Sequence, residues 1–181
     1  MITTTLNAIR AERPCTDGWE KLLHRLGKTA PDDDPLPLVT VLESNGIDDA
    51  LWCLRTVAGY DKEKRLFTVW CVRQVQHLAT DPRSIAALDV AERFAYGEAT
   101  QEELEAARAA ARAASHAANA RVASVACMLA CYAVAPNGEQ TASRAAALAA
   151  AWAESNPRNN ATVHATTSRA AQAEKFKEIF G

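Results

Sequence analysis

A chain of 181 residues with 20 basic and 22 acidic side chains carries a formal net charge of −2. That balance argues against a dedicated nucleic-acid binder, whose phosphate contacts need a basic surplus. Alanine supplies about a fifth of the residues and β-branched residues never alternate over a run, so the composition favours helix over strand.

Helix punctuation is legible along the whole chain. Thr16 is placed to cap a short helix through WEKLLHRL, and Gly27 to stop it. The acidic, proline-bounded KTAPDDDPLP reads as a loop and as the one candidate boundary. It would set an N-terminal helical segment, 1–30, beside a main alanine-rich bundle, 36–181. LVTVLES follows as a short helix ended by Asn45-Gly46, then a helix over 47–58 closed by Gly59, then one from Asp61 to about Ala79. Asp81-Pro82 starts the next helix, with a carboxylate cap before a proline at the first helical position, and Gly97 closes it. Thr100 with Glu103 forms a capping box that opens a long alanine-rich helix towards Ala135. Pro136-Asn137-Gly138 makes a turn, a further helix covers 140–154, Asn156-Pro157 restarts the chain, and RAAQAEKFKEIF is helical. The expectation is an all-α protein: an antiparallel multi-helix bundle or stacked helical array of eight to nine helices.

LWCLRTV at 51–57 and VWCVRQV at 69–75 repeat Trp-Cys-aliphatic-Arg-x-Val. At about 100° per residue, Cys53 and Cys71 turn to the apolar face of their helices. Trp52 with Arg55, and Trp70 with Arg73 and His77, take the flank. Buried cysteine behaves as a small hydrophobe, so the thiols read as packing residues. Each flank reads first as packing under another layer of helices, its arginine reaching water or a carboxylate; the alternative is partner contact, since tryptophan and arginine are enriched at binding hot spots.

Arg108, Arg112, Ser115 and Asn119 form one stripe of the long helix. With Arg121 and Arg144, its arginines are candidates for nucleic-acid contact, against the alternative of a solvated or internally paired face. Cys127 and Cys131 share a face but lack a ligand ring, and Asp32-Asp33-Asp34 lacks the spacing of a calcium loop. No metal site, cofactor or catalytic residue is expected, and no glycine-rich phosphate loop is present. The odd cysteine count without framework spacing, and the absence of a charged-then-apolar leader in MITTTLNAIRAER, fit a cytoplasmic protein with reduced thiols. No apolar run approaches bilayer length.

LFTVWCVRQVQHL, DPRSIAALDVAERFAYGE and the alanine-rich run with SHAANARVASVA resemble the bacterial and phage immunity-protein family over about 66–135. Asp81-Pro82-Arg83, Gly97-Glu98 and His116 match; Arg121 and Val125 stand where further histidines belong. The resemblance implies a non-enzymatic, all-helical module that binds and neutralises a bacterial toxin or defence complex, with self-association open. The alternatives are a nucleic-acid-associated protein using the basic stripe, and an enzyme of unrecognised type with a site assembled from His77, His116 and acidic residues.

Overall fold

The Thr5 hydroxyl accepts from the Ala8 amide at 3.0 Å and caps helix α1 (Leu6–Ala11), the first of eight α-helices among the residues that the computed structural model describes. Those residues are 1–79, 81–117, 147 and 169–181. They form two units, Met1–Tyr60 with Ala173–Gly181, and Asp61–Gln172.

In the first unit α2 (Thr16–Leu26), α3 (Leu38–Asn45) and α4 (Ile47–Cys53) follow α1, and a 3-10 turn, Leu54–Thr56, extends α4. Leu6, Ile9, Leu38, Leu51 and Leu54 are at most 2% exposed, and each such side chain stabilises by roughly 1.5–3 kcal/mol on burial. Two-residue strands, β1 (Thr3–Thr4) and β2 (Leu36–Pro37), pair antiparallel with Thr3 opposite Pro37 and Thr4 opposite Leu36. This pairing was absent from the sequence expectation. The Ile2 amide donates to Phe180 O, and the Leu38 amide to Ile2 O, both at 3.0 Å. The chain start is thereby tied to β2–α3 and to the end of α8 (Arg169–Phe180), where Phe176 and Phe180 stack at 4.6 Å.

The acidic loop lies inside this unit; the chain divides at Tyr60–Asp61. The reason lies in bonds made within the unit. Lys28 pairs with Asp32 and, at 2.8 Å, with Asp34, while the Asp32 carbonyl accepts from the Asn7 amide at 3.0 Å. These bonds fold the loop back on the unit. Gly27, at φ 66°, ends α2 as expected: its own amide reaches His24 O, and the Lys28 amide reaches Leu23 O. Cys15, not Thr16, occupies the cap position of α2, and Thr16 is its first helical residue.

The second unit contains α5 (Asp61–Arg73), a 3-10 turn at Gln76–Leu78, α6 (Pro82–Ala95) and α7 (Gln101–Ala117). The expected starts hold: Asp81 Oδ1 accepts from the Arg83 amide at 2.9 Å. The Thr100 hydroxyl accepts from the Glu103 amide at 3.2 Å, while the Thr100 amide donates to the Glu103 carboxylate at 2.8 Å. Ala87 and Ala91 of α6, with Ala111 and Ala114 of α7, are at most 1% exposed. Their small side chains let the packed helices α6 and α7 approach closely. Two helices stop earlier than their apolar patterns suggest. The 47–58 helix ends at Cys53, and the one from Asp61 ends at Arg73, each passing into a 3-10 turn.

The expected continuation of α7 towards Ala135, the turn at Pro136-Asn137-Gly138, the 140–154 helix and the Asn156-Pro157 restart lie outside the described residues, as do Arg121, Arg144, Cys127 and Cys131. Removing the α7 capping box by Thr100→Ala is expected to lower stability by about 1 kcal/mol in urea unfolding, with the helical far-UV signal of the native state retained.

Candidate functional site

The first Trp-Cys repeat folds on itself. The Arg55 guanidinium lies 4.3 Å from the centre of the Trp52 ring, and Arg55 Nε donates to Trp52 O at 3.0 Å. Cation–π contact and hydrogen bond together hold both half-buried side chains on one flank. Cys53 points the other way, 3% exposed. Burial, reinforced by the negative charge of Asp49 and opposed by Arg55, pushes its thiol up to about 12.

In the second repeat Cys71 is 1% exposed. Burial raises its thiol far above the ordinary range, and the Arg169 charge works the other way. Trp70 is half-buried, its ring centre 6.2 Å from that of Phe67. Arg73 reaches across to α6, where Nη2 donates to Asp89 at 2.8 Å and to Glu92 at 2.7 Å; Nη1 donates to Gln76 at 3.1 Å. Partial burial works against the guanidinium charge, but the two carboxylates prevail and its pKa is raised. His77 is exposed in the 3-10 turn. Because α5 stops at Arg73, His77 does not continue the helical Trp70–Arg73 flank.

Arg73 thus directs attention to α6. Among the described residues the exposed large hydrophobic side chains are Met1, Ile85 and Tyr96. Ile85, Asp89, Glu92 and Tyr96 recur at i, i+4, i+7 and i+11, which puts them on one stripe of α6 and its C-terminal end. The Lys62 ammonium sits 4.7 Å from the Tyr96 ring centre. Asp89, Glu92, Arg93, Tyr96 and Glu98 line a shallow open depression of about 320 Å³. Arg93 donates to Glu98 O at 2.9 Å and approaches Glu103 at 3.3 Å, so the depression presents an aromatic ring with a largely acidic rim. This stripe escaped the sequence reading. Its signal was present as isolated hydrophobic residues at helical spacing with two carboxylates between them.

A second concavity, in the first unit, is a partly open cleft of about 160 Å³ between α1, α2, α3 and α4. Trp19 and Trp52 contribute to its walls, with Asn45 and Asp49 as its polar groups and Cys15 beside them. Asn45 Nδ2 donates to Gly18 O and to Asp49 Oδ2, both at 2.7 Å, while Asn45 Oδ1 accepts from Ser44 at 2.6 Å.

Arg108 and Arg112 are exposed on α7, with Ser115 half-buried and His116 exposed. Among the described residues no group of three or more His, Cys, Asp or Glu is placed to hold a metal ion, and no helix is long and apolar enough to cross a membrane. Compared with known proteins, the chain matches no family model, no curated protein and no solved structure.

The cysteines yield a direct check. At about pH 8, near the ordinary thiol range, a maleimide is expected to label exposed Cys15 and to leave Cys53 and Cys71 unmodified in the native protein, read peptide by peptide in a mass spectrometer. Since the folded Cys53 thiol titrates above the unfolded one, its contribution to stability is intact below about pH 9. That contribution is lost as the pH rises towards 12.

Proposed function

We propose that this chain is a helical protein-binding module, and that its contact face is the outer stripe of α6. The observation that carries the reading is the coincidence of Ile85 and Tyr96, 37% and 54% exposed, with the carboxylates of Asp89 and Glu92 between them. Exposed apolar anchors around fixed charges have the makeup of a hot-spot cluster. Arg73 restrains both carboxylates before any partner arrives, which lowers the ordering penalty on association.

The complementary surface is a protein with an apolar pocket for Tyr96 and cationic side chains facing Asp89, Glu92 and Glu98. The immunity-protein resemblance of 66–135 adds the class of that partner, a bacterial toxin or defence component whose action the chain neutralises by binding. In this reading Trp70 and Arg73 act from beneath the contact face, Arg73 through its two carboxylates.

Capture experiments with the tagged protein in bacterial lysate test it. Tyr96→Ala is expected to weaken retention of the specific partner by about 30-fold or more, as befits a hot spot, and Ile85→Ala to weaken it less. Arg108→Ala with Arg112→Ala should retain the partner. Equal retention by the native protein and Tyr96→Ala would remove the α6 stripe as the contact face.

A further inference from the structure

The cleft of the first unit has no role in binding through α6, yet it is built with a distinct polarity. Its apolar side includes Ile9, Leu22 and Val41 with the two indoles of Trp19 and Trp52. On its polar side the Asn45 amide commits both N–H donors, to Gly18 O and to Asp49 Oδ2, and its oxygen accepts from the Ser44 hydroxyl. Asp49 differs. Among the described residues its carboxylate accepts the one bond from Asn45, so Oδ1 keeps its acceptor capacity, and no lysine or arginine forms an ion pair with it.

Gly18 leaves room for that carboxylate. A Cβ there would stand 2.8 Å from Asp49 Oδ2 and 3.1 Å from Cys15 Sγ, so any side chain at this position would displace the acid. The half-buried carboxylate, beside an apolar wall and with one oxygen open, is complementary to a cationic donor. The size of the space sets the rest of the ligand, since a cavity of about 150 Å³ holds one benzene-sized ring. The arginines limit the charge: Arg10 lies 5.5 Å from the Trp19 ring centre and Arg55 4.3 Å from that of Trp52, which disfavours a second positive group at the aromatic end.

We propose that this cleft is a binding site for a small monocationic amine carrying a single aromatic ring. The ammonium donates to Asp49 Oδ1, and the ring lies in the apolar part of the cleft beside Trp19 and Trp52. Cys15, exposed beside the cleft, reports occupancy.

Benzylamine is the probe. Calorimetric titration of the native protein is expected to give saturable binding with a Kd of about 1 mM or tighter, in keeping with so few atoms. Saturating benzylamine should slow maleimide labelling of Cys15. Benzyl alcohol, equal in shape but uncharged, should bind at least about tenfold more weakly, the loss of one charge-assisted hydrogen bond. Asp49→Asn should reduce benzylamine affinity by a similar factor, with folding checked by circular dichroism. The comparison of amine with alcohol needs no variant and stands even if Asp49→Asn fails to fold. No saturable heat with benzylamine, or equal affinity for amine and alcohol, would overturn the proposal.

Discussion

Arg73 fixes the surface of the second unit. A single guanidinium at the end of α5 bonds two carboxylates almost one turn apart on α6, Asp89 and Glu92, and so ties the two helices together at this point and orients the acidic pair. An exposed ion pair alone contributes little to stability. Here two acceptors and a third bond to Gln76 confine one planar donor, and that arrangement restrains the side chains between Ile85 and Tyr96. The exposed hydrophobic residues and the oriented acids therefore belong to one surface. Alanines at 87, 91, 111 and 114 complete it from behind, since their small size lets α7 support α6 closely.

The first unit has a corresponding junction in Asn45. Its amide bridges the Gly18 carbonyl of α2 and the Asp49 carboxylate of α4 from the end of α3, so one side chain relates three helices. Gly18 makes the approach possible because it adds no side chain to the contact. The cleft follows from that geometry: polar where the three helices are bonded, apolar where Trp19 and Trp52 face the space between them.

Much of this architecture was legible in the residues. The all-helical class, the Asp81-Pro82 and Thr100–Glu103 starts and the stops at Gly27 and Gly97 rest on local rules that hold in the fold. The inward turn of Cys53 and Cys71 also held, because helical periodicity decides it. Three features rest on contacts between distant residues and were not legible. The Asn7 amide bonded to the Asp32 carbonyl turns an apparent linker into part of a unit. The short β1–β2 pair lacks any alternating pattern. The sequence allows Arg73 to reach water or a carboxylate but does not say which carboxylate, because its acceptors lie 16 and 19 residues downstream. His77 moved off the flank because α5 gives way to a 3-10 turn, which the continuous pattern from Asp61 to Ala79 concealed.

The central claim is that the α6 stripe meets a protein partner, and contact itself is the most direct thing to measure. A photo-activated cross-linking residue placed at position 96, at position 85 or at position 112 on α7 samples three sites in the living cell. The account predicts one discrete protein adduct from positions 96 and 85 and none from position 112. Adducts from position 112 alone, or none from any of the three, would contradict it.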